Sequence, residues 1–87
     1  MKYALMWSNH WSTKHESFDP RVIVRYTEES DGWFEHRYMY YFIAEDNDDA
    51  ISKATQFVDL YSGVEPIEIY SLFDEKREVI MTEEGVL

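Results

Sequence analysis

Residues 46–63 have the sequence DNDDAISKATQFVDLYSG, and the rest of the chain is organised around this stretch. Its apolar residues recur at the spacing of one helical stripe; they are Ala50, Ile51, Ala54, Phe57, Val58 and Tyr61. Asp46 or Asn47 is suited to cap the first turn, and the two aspartates that follow place negative charge at the positive end of the helix dipole. Gly63 is expected to take the left-handed conformation that ends a helix, and Pro66 prevents a restart. The stretch therefore predicts one amphipathic helix.

Three strands are predicted before the helix. Lys2–Ser8 is apolar on both faces, which is more typical of a central strand than of an edge strand. Arg21–Glu28 is rich in β-branched residues, and the Asp-Gly pair that follows it is a hairpin signal. Trp33–Ile43 is the longest strand and carries aromatic residues on both sides. Alternation alone therefore does not identify the side that contacts the helix.

The segment between the first two strands, Asn9–Pro20, shows no periodicity and is expected to be a long loop. Trp11 and Phe18 argue against disorder in this loop, because large rings are costly to leave in water. Either both rings fold back as a lid over one end of the core, which we favour, or they are exposed for recognition.

Two strands are predicted after the helix, Pro66–Phe73 and Glu78–Thr82, and the tail Glu83–Leu87 is expected to fray. The order β-β-β-α-β-β favours an α+β fold, with an antiparallel sheet of about five strands and one helix packed across one face. At 87 residues the chain is expected to form a single compact domain, residues 1–87.

Composition excludes several classes of protein. The chain has no cysteine, hence no disulfide framework and no thiolate chemistry, and 17% aromatic residues supply the packing area instead. No apolar run approaches the ~20 residues that a membrane span needs. The start, MKYALMWSNH, has an apolar run too short for a signal-peptide core, so a cytoplasmic protein is expected.

No catalytic pattern is present. No serine lies in a nucleophile-elbow context, and three scattered glycines cannot form a phosphate-binding loop. We therefore expect no enzymatic activity and no cofactor. The acidic run 45–49 lacks the sixth-position glycine and the preceding helix of a calcium-binding hand, and helix capping with dipole stabilisation explains it.

The histidines are the remaining candidates for metal ligation. His10 and His15 bracket Trp11, and together with Glu16 or Asp19 they would form a ligand set. Solvent-exposed or ring-stacked histidines are the more common situation, so no metal is expected.

Charge is the most informative feature for function. The net charge is −10, and it divides unevenly, with +2 in residues 1–27 and −12 in residues 28–87. Such a surface either serves solubility alone or meets a basic partner. Direct binding to nucleic acid is disfavoured because the phosphate backbone would repel it. The aromatic strand could stack bases only within a positive surround, which this chain lacks.

The predicted partner-binding residues are acids in the turn after the second strand and at the helix start, with two tryptophans as apolar anchors. They are Glu28, Glu29, Asp31, Asp46, Asp48, Asp49, Trp11 and Trp33. Acids of the turn after the fourth strand, Asp74 and Glu75, would join the first group if both turns lie at the same end of the sheet. Carboxylates held on a rigid scaffold can imitate the phosphates of a duplex and occupy the basic groove of a nucleic-acid-binding protein.

As a class, the chain resembles the small, acidic, cysteine-free inhibitors of host defence that phages encode, including anti-CRISPR proteins, although no motif identifies a family. The resemblance implies a DNA-mimic inhibitor that acts on a protein partner. The net charge and the short apolar runs separately predict no direct nucleic-acid contact and no membrane. The alternative is a homo-oligomeric structural or regulatory module joined through an aromatic sheet face, for instance a homodimer.

Overall fold

The periodic stretch forms the predicted helix. In the computed structural model, which describes all residues from Met1 to Leu87, helix α1 covers Asn47–Tyr61. The residues of its stripe that are fully buried are Ala50, Ala54, Phe57 and Tyr61. Asp46 is the N-cap, and its carboxylate accepts a hydrogen bond from the backbone N–H of Asp49 at 2.8 Å.

The end of the helix differs from the prediction. Gly63 is not among the residues with positive φ, so the left-handed stop expected there is wrong. Ser62 stays in the right-handed helical region, and its N–H donates to the carbonyl of Val58. The N–H groups of Val64 and Glu65 both donate to the carbonyl of Tyr61, which satisfies this last carbonyl of the helix without a glycine cap.

Six strands form one antiparallel sheet. They are β1 (Lys2–Trp11), β2 (Val22–Glu28), β3 (Phe34–Ile43), β4 (Tyr70–Phe73), β5 (Val79–Thr82) and β6 (Gly85–Val86). The order across the sheet is β2-β3-β1-β4-β5-β6, so β1 is central, as its two apolar faces predict. The α+β fold with one helix against an antiparallel sheet is confirmed, although with six strands instead of about five.

The starts of β2, β3 and β5 lie one residue later than predicted, and three differences from the sequence-based prediction are larger. Strand β1 continues to Trp11, because Asn9, His10 and Trp11 pair with β3, and the predicted loop is correspondingly shorter. Strand β4 begins at Tyr70, since the segment from Pro66 joins the core through the buried side chain of Ile67 without pairing. The tail does not fray as expected, because Gly85, with φ of 126°, closes a turn that pairs β6 with β5.

The register identifies the side of β3 that contacts the helix. Leu5 lies opposite Tyr40, and Trp7 lies opposite Tyr38, so these side chains share one face. Phe57 of α1 stacks on Tyr40 with ring centroids 4.0 Å apart, which places that face against the helix. The other face is not covered by the helix, and we call it the open sheet face.

Residues 12–21 form a strap beside the C-terminal end of the helix. The Ser17 hydroxyl hydrogen-bonds to the Tyr61 hydroxyl at 2.8 Å, and the Phe18 ring lies 4.8 Å from that of Tyr61. The N–H of His15 donates to Nε2 of His36, which is fully buried, at 2.8 Å. The strap thus folds back onto the core, although Phe18 itself remains 53% exposed.

Candidate partner-binding surface

The turn between β2 and β3 holds the first three predicted acids, Glu28, Glu29 and Asp31. The N–H of Glu29 donates to the carbonyl of Trp33 at 2.8 Å, and Gly32, with φ of 84°, makes the tight turn possible. Asp31 accepts a hydrogen bond from the Trp33 N–H at 3.2 Å. Glu28 and Asp31 are exposed and Glu29 is half-buried. We call these three acids the turn group.

The other three predicted acids, Asp46, Asp48 and Asp49, lie at the start of α1, and we call them the helix-start group. Asp46 caps the helix, and Asp49 accepts from the N–H of Glu45 at 3.0 Å and pairs with Lys53 at 3.2 Å. The Glu45 hydrogen bond and then Lys53 lower the pKa of Asp49. Two of these acids therefore stabilise the helix, and Asp48 alone is exposed without a partner.

The topology separates the two groups. Phe34, at the start of β3, pairs with Trp11, whereas Ile43, at its end, pairs with Lys2. The turn group therefore lies at one end of β1 and the helix-start group at the other, about 30 Å away for a strand of ten residues. The six predicted acids do not form one patch.

The turn after β4 joins the helix start, not the turn after β2. Phe73, at the end of β4, pairs with Ala4 near the start of β1. Burial raises the pKa of Tyr3, and the nearby carboxylates raise it further; these are Asp46, Asp74, Glu75 and Asp49. Acids distant in sequence thus meet at this end, with Lys53 pairing Asp49.

The two predicted tryptophan anchors differ in exposure. Trp33 is 45% exposed beside the turn group, where it is accessible to a partner. Trp11 is half-buried at the end of β1, and its ring packs edge-on against His15 of the strap at 5.0 Å. Trp33 therefore fits the role of an anchor better than Trp11.

A further acidic surface was missed at the sequence level. Four exposed carboxylates lie in the second half of α1, before β4 and in the β5–β6 turn: Asp59, Glu68, Glu83 and Glu84. Glu83 accepts from the N–H of Tyr70 at 3.3 Å, and the charges of Glu83 and Asp59 reinforce burial in raising the pKa of that tyrosine. None of the four takes part in an ion pair. We call these four residues the acidic edge.

The sequence feature that could have identified the acidic edge is the absence of lysine and arginine from two segments of the chain. No lysine or arginine occurs in residues 54–75 or after Arg77. Because the structure brings Asp59 and Glu83 to the same tyrosine, the two cation-free segments meet in space. Counting cations along the sequence would have identified both segments, and only the fold shows that they meet.

The open sheet face has a different character. Ile23, Met39 and Met6 lie side by side across β2, β3 and β1, and Arg25 lies directly opposite Arg37. A hollow of about 750 Å³ at one end is lined by apolar and aromatic residues together with charged ones; among them are Met6, Tyr41, Phe73, Lys2 and Arg77. Most rings of β3 instead face the helix, so the strand offers no exposed aromatic platform for base stacking.

The candidate histidine set, His10 and His15 with Glu16 or Asp19, is not assembled. Nε2 of His15 lies 3.2 Å from the Thr13 hydroxyl, and Asp19 is paired with Arg21 at 2.8 Å. The Arg21 side chain hydrogen-bonds to Asp19 and lowers its pKa. His10 instead lies beside two glutamates of the neighbouring strands and turn.

No protein-family model, no curated protein and no solved structure matches this chain. Helix α1, the only helix, is neither long enough nor apolar enough to cross a membrane.

Proposed function

We propose that this chain is a non-enzymatic cytoplasmic module that binds a basic protein and covers the surface with which that protein binds nucleic acid. It would act as an inhibitor of the DNA-mimic type. The observation that carries the proposal is the acidic edge, where four exposed carboxylates have no ion pair and the local sequence has no cation. Such a surface attracts basic partners and speeds their association.

The shape of the molecule supports the proposal. The chain is elongated, with extents of 41 × 25 × 23 Å, and the turn group and the helix-start group lie at opposite ends of the sheet. With a net charge of −10, it carries about one negative charge per 4 Å of length, against about one per 1.7 Å of duplex DNA. The negative charge per unit length is thus lower than that of a DNA duplex, so apolar anchors such as Trp33 would have to add to the affinity for the partner.

The first test is capture from a lysate of the native cells on the immobilised chain, at about 50 mM and about 300 mM salt. We expect a basic nucleic-acid-binding protein that is retained only at low salt. Its binding to a labelled nucleic acid should then be lost when the free chain is added. A captured protein that binds its nucleic acid equally well with and without the chain would contradict the proposal.

The second test compares two triple charge reversals of equal net charge. Asp59→Lys, Glu68→Lys and Glu84→Lys change the acidic edge at residues whose carboxylates accept no backbone hydrogen bond. Glu16→Lys, Glu45→Lys and Glu78→Lys are the matched control, at exposed positions outside the acidic edge and outside the predicted partner-binding residues. We expect the first triple to slow capture of the partner more than the control, because the edge is the local source of attraction. Equal effects would show that only the total charge matters.

A second candidate function, a homo-oligomeric module, is favoured by exposed apolar residues on the open sheet face. Ile23, Tyr41 and Ile43 are 45%, 43% and 68% exposed on this face. Sedimentation at several concentrations tests this alternative. A concentration-dependent dimer that Tyr41→Glu abolishes, and that Leu60→Glu on the exposed helix surface leaves intact, would establish it. A monomer at every concentration would remove it.

A further inference from the structure

We propose that His10, Glu29 and Glu35 form a binding site for a divalent transition metal, with Zn²⁺ as the best-fitting ion. One ligand atom from each of the three side chains lies within 4.8 Å of the other two. No other group of three or more histidine and carboxylate side chains in the chain meets this condition. The inference is independent of the proposed function.

The distances suit a shared ion. Nε2 of His10 is 2.9 Å from Oε1 of Glu29 and 3.6 Å from Oε2 of Glu35. Ligand atoms bound to one zinc ion at ~2.0–2.2 Å are themselves about 3 Å apart. The three atoms therefore need only small side-chain rotations to surround a cation.

The backbone holds the three ligands in place. His10 on β1 and Glu35 on β3 are direct cross-strand partners in the sheet. Glu29 lies in the turn that joins β2 to β3, where its N–H donates to Trp33 and its carbonyl accepts from Gly32. The site is thus built on paired backbone, which fixes the positions from which the side chains reach.

An outer contact orients one of the carboxylates. Nε of Arg37 donates to Oε1 of Glu35 at 2.8 Å, which leaves Oε2 directed towards His10. Hydrogen bonds of this kind fix the orientation of ligands in metal sites. Arg37 also reduces the local negative charge, so we expect Zn²⁺ to bind more weakly than in a closed structural site.

The chemistry of the ligand set selects the ion. A neutral imidazole has one N–H at most to offer from Nε2, so it cannot satisfy both carboxylates at once, whereas a dication can. One nitrogen and two carboxylate oxygens suit zinc and its neighbours better than the all-oxygen preference of calcium or magnesium. The side chains of His10, Glu29 and Glu35 are 53%, 36% and 25% exposed, so an ion can enter and keep water as a further ligand.

The test is calorimetric titration of ZnCl₂ into the full chain, without a polyhistidine tag and free of chelator. We expect one ion per chain, with affinity that falls at acidic pH because the ligands must be deprotonated. His10→Gln should weaken binding at least ten-fold, and so should the isosteric Glu29→Gln and Glu35→Gln. His15→Gln and Glu28→Gln are matched controls outside the cluster and should bind as the wild type does.

Two further measurements sharpen the outcome. A large excess of Ca²⁺ should not displace the zinc, and circular dichroism should show that each variant is folded. The absence of one-to-one Zn²⁺ binding by the wild type would overturn the proposal. The proposal would also be overturned by unchanged Zn²⁺ affinity in a folded His10→Gln variant or by displacement of the zinc by Ca²⁺. It would be overturned equally if His15→Gln lost as much Zn²⁺ affinity as His10→Gln.

Discussion

Single side chains link the strap, the helix and the sheet, and Tyr61 does so through both its ring and its hydroxyl. The ring lies 5.2 Å from that of Trp7, edge-on, and its hydroxyl donates to Glu65 at 3.0 Å. Because that hydroxyl has a single proton, Ser17 donates to it in turn, and Ser17 accepts from the N–H of Asp19. Burial raises the pKa of Tyr61, which therefore stays a neutral donor near neutral pH.

Tyr61→Phe should lower the free energy of unfolding by about 1–3 kcal/mol, because it leaves part-buried partners in Ser17 and Glu65 without their hydrogen bonds. It should also make the strap more sensitive to proteolysis. Tyr41→Phe is the matched control, because Tyr41 is 43% exposed on the open sheet face, and its effect should stay within about 0.5 kcal/mol. Urea unfolding measures both, and equal losses would contradict this account of Tyr61.

Phe57→Ala should lower the free energy of unfolding by about 3–5 kcal/mol, because Phe57 is only 8% exposed and its ring stacks on Tyr40 of β3. A domain of this size has a total stability of the same order, so the variant is expected to be largely unfolded at room temperature. Leu60→Ala, at a solvent-exposed position of the same helix, removes a side chain that is 80% exposed and should change stability by at most about 0.5 kcal/mol. Thermal unfolding followed by circular dichroism compares the stabilities of the two variants. Similar losses of stability would show that the face of α1 that packs on the sheet is misassigned.

At this scale the sequence predicted the buried face of the helix, and it favoured a strap folded back onto the core without identifying the side chains that hold it there. The burial of Phe57 follows from its place in the periodic stripe. The hydrogen bonds from Ser17 to Tyr61 and from His15 to His36 join residues 44 and 21 positions apart, and local sequence patterns do not predict contacts at such separations.

Among the elements, the start of α1 is the best specified. The carboxylate of Asp46 accepts from the Asp49 N–H, and the carboxylate of Asp49 accepts from the Glu45 N–H, so two backbone donors before and within the first turn are satisfied. The short-range spacing of these residues is the reason that capping could be predicted from sequence alone.

Asp46→Ala should lower the free energy of unfolding by about 1 kcal/mol, the usual cost of a lost N-cap. Asp48→Asn is the matched control, because its side chain caps nothing and only its interaction with the helix dipole is lost. Chemical unfolding at neutral pH checks the difference. A loss for Asp48→Asn that equals or exceeds the loss for Asp46→Ala would contradict the assignment of the cap.

The strand boundaries were less predictable because pairing partners determine them. Asn9 and His10 are polar, and only the presence of β3 alongside extends β1 to Trp11. The two-residue strand β6 depends on Gly85 and on the exposed edge of β5, and its own sequence carries no strand periodicity.

For the whole molecule, strand order decides how the charges are distributed. The acidic residues can be read directly from the sequence. Because β1 lies between β3 and β4, however, the turn after β2 and the turn after β4 lie at opposite ends of the sheet. Strand order results from long-range pairing, which alternation within each strand does not encode. The turn group and the helix-start group are therefore distinct surfaces, and the condition under which the acids of the two turns would have converged is not met.

The buried and half-buried tyrosines predict an upper pH limit for the stability of the whole fold. Burial is the leading cause of a raised pKa at five of them, Tyr3, Tyr26, Tyr38, Tyr61 and Tyr70. Since the unfolded-state pKa is about 10, their contribution to stability is fully present below that pH and is lost as the pH rises through the folded-state pKa values.

We therefore expect the urea midpoint to fall steeply above about pH 10, with phenolate absorbance appearing together with the loss of secondary structure. Ionisation of all the tyrosines at about pH 10 in a chain that keeps its circular dichroism spectrum would show that they are not buried as described.

The salt dependence of partner association is the sharpest test of whether the acidic edge attracts a basic partner. With the captured partner in hand, the association rate constant is measured for the wild type, the acidic-edge triple and the control triple over a range of salt concentrations. We expect the association rate constant to decrease steeply with salt for the wild type, with a smaller slope for the acidic-edge triple and an intermediate slope for the control. A wild-type rate that does not change with salt, or equal slopes for all three proteins, would contradict this expectation.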